Sequence, residues 1–247
     1  TRKESSAASD VYKRQILVLG GSLLSPGTPV HAAPKASPGQ WFIESYGIDK
    51  AWERTTGKGV KVAIIDSGVK GDHENLTGKV VGAKDFSGSK TDGQTPVGPK
   101  DTVRHGTAVA GVIAGNGTNL GPRGVAPDAE LLSASMWLGS GGPADAPSSR
   151  QQAADAIKWS VDNGAKVINM SLGWADPAWP EYWDEAFSYA YEKDAVIIAC
   201  VGNASQGATR AWSPATVPGV VGVGGLKKDD SIDSESTAPG IAVDLMG

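Results

Sequence analysis

Short apolar runs recur along the chain, and each has the length of a single β-strand. The run at residues 60–65 is nearly continuous in apolar residues, a pattern typical of parallel strands that are covered on both faces. The same reasoning extends to the other runs. Strands are predicted at residues 60–65, 129–136, 166–172, 195–201 and 217–223.

Helical patterns lie between these strands. Residues 105–115, "HGTAVAGVIAG", are nearly all small, which predicts a helix that packs closely on a sheet. Residues 151–163 place apolar side chains three and four apart and end before Gly164. A third helix is predicted at 182–193, and a loop rich in Gly, Ser, Thr, Asp and Pro at 87–100. The alternation predicts an α/β fold of three αβα layers around a mostly parallel central sheet.

Composition narrows the class of protein. The 247 residues are 40% hydrophobic and 20% charged, which is typical of a globular chain, and they are enough for one large α/β domain. The net charge of −4 lacks the basic character of a nucleic-acid-binding domain, so no nucleic-acid partner is predicted. The single cysteine, Cys200, excludes an internal disulfide and a cysteine-rich metal site, and we expect it to be a buried strand residue.

The N-terminal residues differ from the rest of the chain. Residues 1–15 include "DVYKRQ", which matches a translation of the transposon end used in sequencing-library preparation, so we interpret them as an assembly artefact; the alternative is a genuine polar leader. Residues 16–32 begin with a short apolar stretch and end in a small-x-Ala pattern, as the remnant of a secretory signal would; the alternative is a disordered leader. We expect a linker at 33–39 and one domain at 40–247.

Three polar residues stand where chemistry is expected in such a fold. Asp66 ends the first predicted strand, His105 begins a helix, and Asn203 follows the strand at 195–201. Ligands gather at the carboxyl ends of parallel strands. There a histidine can act as a general base, a carboxylate can orient it, and an amide can donate to an oxyanion. Taken singly, each has a plainer interpretation as a turn or helix cap.

Together the three motifs resemble the subtilisin-like serine peptidases, or subtilases. The resemblance rests on "IIDSGV", "HGTAVAG" and "VGN" in that order, with "GVAPDAELLS" and "VINMSLG" between them, and it covers residues 40–247. It implies a secreted bacterial serine endopeptidase in which Asp66 orients His105, His105 is the general base and Asn203 lines the oxyanion hole.

The resemblance also implies where a substrate binds. Two segments look like the edges that pair with an extended peptide backbone, with main-chain hydrogen bonds for affinity and pockets for side-chain choice. These are Ser171, Leu172 and Gly173 on one side and Leu138, Gly139, Ser140 and Gly141 on the other. The expected partners are therefore protein or peptide substrates, and no membrane span is predicted within the 247 residues. The Trp-rich residues 174–187 are interpreted either as part of a side-chain pocket or as packing of a surface helix.

One element of the family pattern has no match in this sequence. The Gly-Thr-Ser-Met-Ala-like motif that carries the family nucleophile does not occur, and neither Ser213 nor Ser236 has a nucleophile turn around it. The final "STAPGIAVDLMG" resembles the segment just before that motif. We therefore expect the serine to lie beyond Gly247, the 247 residues alone to be inactive, and the apolar faces of the strands ending at Ile65 and Val201 to be uncovered.

Other features leave alternatives open. Asn75 stands where calcium-binding relatives often carry an acidic residue, although residues 115–124 keep the length of their calcium loop. Calcium is thus the one cofactor that the resemblance raises, and no metal ligands are assigned. The short linker and "AYEKDAVIIACVGN" favour a mycosin-like, membrane-anchored maturation protease of type VII secretion as an alternative. A second alternative is an inactive, peptide-binding relative.

Overall fold

A seven-stranded parallel sheet forms the centre of the molecule. The computed structural model describes residues 34–119, 121–240 and 242–247, so the predicted artefact (1–15) and signal remnant (16–32) lie outside the described residues. The strands are β1 (Lys61–Asp66), β2 (Val80–Asp85), β3 (Glu130–Ser135), β4 (Val167–Met170), β5 (Val196–Cys200), β6 (Val221–Gly224) and β7 (Leu245–Met246). Their order across the sheet is β2-β3-β1-β4-β5-β6-β7.

Helices connect the strands and cover the sheet. They are α1 (Trp41–Ser45), α2 (Ile48–Trp52), α3 (His105–Ala114), α4 (Ser149–Asp162) and α5 (Tyr182–Glu192), with short 3₁₀ turns at Glu74–Leu76 and Ala204–Gln206. Ser148 caps α4, because its side chain accepts a hydrogen bond from the Gln151 N–H. No helix among the described residues is long and apolar enough to cross a membrane.

The two faces of the sheet have separate cores. The larger core joins β1, β3, β4 and β5 to α4 and α5, and its largest buried side chains include Trp183, Phe187 and Met170. The smaller core lies under α3, whose buried residues, Gly106, Ala110, Gly111 and Ala114, recur at helical spacing. Covering the sheet on both faces explains the nearly continuous apolar run of β1, and it confirms the predicted three-layer α/β fold.

The predicted elements agree with the structure apart from their ends. The predicted strand at 217–223 is shorter than expected, since β6 begins at Val221. The loop predicted at 87–100 contains no helix or strand among its described residues. Sequence patterns missed β2, β7 and the short helices α1 and α2.

Strand register places the ends of several strands beside one another. Asp66, the last residue of β1, pairs with Ser135 at the end of β3. On the other side of β1, Met170 of β4 pairs with Ala199 of β5, one residue before Cys200. The segments that follow β1, β3, β4 and β5 therefore leave the sheet at its carboxyl edge, the edge at which ligands bind in open parallel sheets.

Candidate active site

Asp66 is a buried carboxylate with defined partners. Its side chain has no solvent exposure. Its Oδ1 accepts a 2.7 Å hydrogen bond from the Ser67 N–H, and its Oδ2 lies 2.8 Å from Nδ1 of His105. The Asp66 carbonyl accepts from the Met136 N–H at 2.7 Å, which fixes the end of β1 against the segment after β3. A buried carboxylate is costly unless it is paired. The imidazole and the Ser67 N–H provide the partners that this carboxylate needs.

A glycine allows the histidine helix to approach this carboxylate. Gly106 follows His105, and a Cβ at Gly106 would lie 2.6 Å from the Gly68 oxygen and 3.1 Å from Cβ of Asp66. The Gly106 N–H also donates to Oγ of Ser67 at 3.0 Å. Any side chain at position 106 would therefore push the first turn of α3 away from β1, and the imidazole away from its partner.

The pair polarises His105 for proton transfer. The hydrogen bond to Asp66 is the main cause that raises the pKa of His105 above its ordinary value of about 6.5, and the carboxylate charge adds to it, while partial burial of the ring opposes both. Since Nδ1 faces a carboxylate, the neutral ring carries its proton there, and Nε2 is the basic nitrogen. The side chain is 44% exposed, and no described residue makes a hydrogen bond to Nε2. Nε2 can therefore take a proton from a bound group.

Asn203 lies at the same edge of the sheet. It follows β5 after Val201 and Gly202, and Gly202 has a φ of 97°, a conformation that favours glycine. The side-chain amide of Asn203 is half-buried and makes no hydrogen bond to a described residue. Asn203 and His105 line one groove, so an amide N–H is available there to a developing negative charge.

The groove has a volume of about 540 Å³ and contains most of the predicted substrate residues. Six of the seven line it, namely Leu138, Gly139, Ser140, Ser171, Leu172 and Gly173. Gly141 is not among the lining residues, and a Cβ at this position would meet no atom within 4 Å. Sequence patterns missed other lining residues, including Thr102, Met136, Trp137, Gln206 and Trp212.

The Trp-rich segment has two roles rather than one. Trp174 lines the groove, and its indole N–H donates to Oγ of Ser149 at 3.0 Å. Trp183 is fully buried and packs on Trp174 and Phe187, with ring centroids 5.2 and 5.3 Å apart. Cys200, predicted to be a buried strand residue, ends β5 and lines the groove, where it is partly rather than fully buried. Its burial raises the pKa of the thiol.

Neither Ser213 nor Ser236 is placed to act with His105. Ser213 is fully buried, and Oγ of Ser236 donates to the Asp233 carboxylate at 2.5 Å. Neither makes a hydrogen bond to the imidazole. The structure thus brings the imidazole, its partner carboxylate and the Asn203 amide to one edge of the sheet. No hydroxyl group of a described residue makes a hydrogen bond to the imidazole.

Between the described residues of the loop at 115–124, the Asn75 side chain fills the interior that a calcium ion and its oxygen ligands would need. Asn75 is 2% exposed. Its Nδ2 donates to the Pro122 carbonyl at 3.0 Å, and its Oδ1 accepts from the Thr118 N–H at 3.0 Å. A Cβ at Gly121 would lie 2.5 Å from Cγ of Asn75, so the amide occupies the interior of the loop.

Charge also disfavours a cation in this loop. The Arg123 guanidinium reaches inward, and a Cβ at Gly117 would lie 2.9 Å from its Nε. Calcium binding needs six to eight oxygen ligands, commonly including carboxylates. Over the described ranges, no group of three or more His, Cys, Asp or Glu side chains could hold a metal ion. The described residues of this loop therefore do not fit calcium.

We expect the thermal midpoint of the protein to be the same in millimolar calcium and in excess EDTA. Asn75→Asp should lower the midpoint in EDTA, because the carboxylate loses the N–H bonded to Pro122 and leaves two oxygens facing each other, at a cost of about 1–3 kcal/mol. Gln206→Glu is the matched control, since it makes the same amide-to-carboxylate change on an exposed side chain that makes no hydrogen bond to a described residue. A calcium-dependent rise of several degrees in the unaltered protein would contradict this account.

Comparison with known proteins agrees with this geometry. Residues 57–243 match the model of the subtilase family, Peptidase S8. The chain is 34% identical over 216 residues to the thermophilic serine proteinase of Bacillus sp. strain AK1, covering 83% of this chain and 50% of that protein. It is 33% identical over 205 residues to thermitase of Thermoactinomyces vulgaris, covering 83% and 68%. The chain thus spans about half the length of the first relative.

Solved structures show the same fold. A cold-adapted subtilisin-like serine proteinase aligns with a TM-score of 0.60 and 27% identity, covering 78% of this chain and 64% of that one. The prenylagaramide maturation protease PagA aligns with a TM-score of 0.59 and 23% identity, covering 79% and 64%. This second likeness concerns the fold alone.

Proposed function

Since the chain belongs to the subtilase family of serine peptidases, we propose that the whole protein is a serine endopeptidase with Asp66 and His105 as two members of its catalytic triad. The observation that carries this proposal is the 2.8 Å contact between the fully buried Asp66 carboxylate and Nδ1 of a half-exposed imidazole in a groove. A peptide-binding groove alone would need no such pair, which argues against an inactive binding module.

In the proposed mechanism the nucleophile is a serine encoded beyond Gly247. Nε2 of His105 takes the serine proton as the hydroxyl oxygen attacks the peptide carbonyl, and later gives that proton to the leaving amine. Asp66 keeps the proton of the neutral ring on Nδ1 and stabilises the imidazolium that forms. The Asn203 amide donates to the oxyanion of the tetrahedral intermediate. Water then repeats the sequence to release the acyl group.

The groove supports an extended peptide as the substrate. Among the described residues, the backbone N–H groups of Leu138, Gly139, Leu172 and Gly173 donate no hydrogen bond to the protein. These unpaired donors line the groove on both sides, and an extended backbone placed between them would supply acceptors. We therefore propose strand-like pairing with the substrate on either side of the scissile bond.

We propose that the protein is exported. The apolar stretch and small-x-Ala pattern of residues 16–32 support this, as does a 31% identical relative named minor extracellular protease Epr of Bacillus subtilis. Another 31% identical relative is named major intracellular serine protease, so the family alone does not decide the compartment. Sequencing the N-terminus of the mature protein is expected to give Ala33. An N-terminus that retains residues 16–32 would contradict export by this signal.

The direct test of the function has two steps. Reading the gene past the codon for Gly247 should reveal a serine in a Gly-Thr-Ser-like motif within a few dozen codons. The whole protein should then hydrolyse chromogenic peptides, and a serine-directed inhibitor should stop it. A stop codon before any such serine, or a complete protein with no hydrolysis, would refute the proposal. An apolar segment of about 20 residues after the serine would instead favour the mycosin-like, membrane-anchored form.

Asn203→Ala in the whole protein should lower kcat about 10²–10³-fold, the cost found when this kind of oxyanion donor is removed from subtilisin. KM should change little, because the amide bonds the oxyanion more strongly than the ground-state carbonyl. Asn163→Ala, at the end of α4, is the control and should retain full activity. Steady-state kinetics on one peptide would show this, and an Asn203→Ala enzyme with full kcat would place the oxyanion hole elsewhere.

A further inference from the structure

The indole ring of Trp212 packs against two glycines, Gly173 and Gly202. A Cβ at Gly202 would lie only 2.5 Å from Cδ2 of the ring, and a Cβ at Gly173 would lie 3.2 Å from its Cε3. Both distances are shorter than an ordinary van der Waals contact, so neither position has room for a Cβ, and the ring packs close to the backbone of both glycines. The absence of side chains at these two positions creates a slot, and Trp212 occupies it.

This slot adjoins the proposed reaction centre. Gly202 immediately precedes Asn203, the proposed oxyanion donor, and Gly173 ends one of the two substrate edges. Trp212 also lines the groove that contains His105. Because Gly202 is covalently joined to Asn203, the substrate residue whose carbonyl lies at Asn203, on the acyl side of the scissile bond, is the one nearest to the slot.

The backbone around the ring is fixed at both ends. The Trp212 N–H donates to the Val201 carbonyl at 3.0 Å, and the Ser213 carbonyl accepts from the Trp174 N–H at 2.8 Å. The backbone beside Gly202, on one side of the slot, is therefore hydrogen-bonded to the segment that contains Trp212. A large substrate side chain could enter only by displacing the indole, and overfilling a packed site is unfavourable.

We propose that Trp212 is a specificity-determining residue that restricts this position of the substrate to small side chains such as those of glycine, alanine and serine. The inference rests on the proposed endopeptidase function. It goes beyond that function because the same groove without an indole would accept a large apolar side chain.

The kinetic test uses the whole protein and two peptides that differ only in having Ala or Phe before the scissile bond. The unaltered protein should cleave the Ala peptide with at least about a tenfold higher kcat/KM, and Trp212→Ala should raise kcat/KM for the Phe peptide at least about tenfold, the scale on which apolar pockets discriminate. Trp179→Ala is the matched control, because Trp179 lies outside the groove and its indole N–H is bonded to Asp184. Trp212→Val serves if the alanine variant does not fold.

A second measurement does not depend on catalysis. Free indole should bind Trp212→Ala and raise its thermal midpoint, because removing the ring leaves a cavity of indole shape, and should leave the unaltered protein and Trp179→Ala unchanged. A preference of the unaltered protein for Phe, an unchanged Ala/Phe ratio in Trp212→Ala, or no effect of indole on that variant would overturn the proposal. If the whole protein hydrolysed neither peptide but indole still raised the thermal midpoint of Trp212→Ala, the endopeptidase function would be refuted, whereas the conclusion that Trp212 fills the slot would stand.

Discussion

Replacement of His105 by alanine is expected to abolish peptide hydrolysis by the whole protein. Without the imidazole, no described group in the groove can take the serine proton or protonate the leaving amine. The loss should approach that reported for subtilisin itself, about 2 × 10⁶-fold in kcat. Because the histidine is half-exposed and packs at the end of a helix, the variant should fold normally.

The matched control for this variant is His73→Ala. His73 is exposed, and its ring accepts only a local hydrogen bond from the Asn75 N–H. Single-turnover kinetics on a chromogenic peptide should show full activity for His73→Ala and none for His105→Ala. Retention of even a hundredth of the activity by His105→Ala would show that another group is the general base.

Asp66→Asn should have the next largest effect, a fall in kcat of about 10⁴-fold, the loss that this change causes in another Asp-His-Ser triad. An amide can present its N–H to Nδ1, which favours the tautomer that carries its proton on Nε2 and leaves that nitrogen unable to act as a base. KM should change much less than kcat, since the buried carboxylate makes no direct contact with the substrate. Equal activity of Asp66→Asn and the unaltered protein would contradict the role of this carboxylate.

The same pair predicts the pH dependence of the enzyme. Hydrolysis needs neutral His105, so kcat/KM should rise with pH through the pKa of the histidine, and the carboxylate places that pKa above about 6.5. In Asp66→Asn the main cause of the raised pKa is removed while burial still lowers it. The acid limb of the residual activity should therefore move to lower pH. If the acid limb lay at the same pH in both proteins, it would reflect the titration of a group other than His105.

Buried strands were predictable from the sequence, whereas the edge strands were not. The strand β1 is covered on both faces, so its interior residues, 62–65, are all apolar, and this run is visible in the sequence. The strand β2 lies at one edge of the sheet, half exposed, and includes Gly82 and Lys84, which interrupt any apolar pattern. At the other edge β7 has only two residues, Leu245 and Met246, and depends on pairing with β6 for its conformation.

The predicted catalytic residues carry local motifs, but the shape of the groove depends on distant contacts. Asp66, His105 and Asn203 each follow or begin a recognisable element, and the structure places all three at one edge of the sheet. Trp212 has no such signal. Its position follows from an isolated bridge between Trp174 and Ser213, residues 39 positions apart in the sequence.

The expectation of uncovered apolar faces was wrong. Ile65 and Val201 both have no solvent exposure. They belong to the larger core, to which the segments after β5 and β6 contribute small side chains, including Ala208, Ala211 and Ala238. The Ala238 N–H donates to the Gly202 carbonyl at 2.8 Å and so holds one of these segments against the end of β5. Irregular segments can therefore close a core that regular elements leave open.

We propose that Asp66 and His105 activate a serine that lies beyond Gly247. The measurement that tests it most directly is labelling of the whole protein with a fluorophosphonate, followed by mass-spectrometric identification of the modified residue. We predict one labelled serine, C-terminal to residue 247, and loss of labelling in His105→Ala. Labelling of Ser213, Ser236 or any other serine within the 247 residues, or labelling that persists in His105→Ala, would contradict the account.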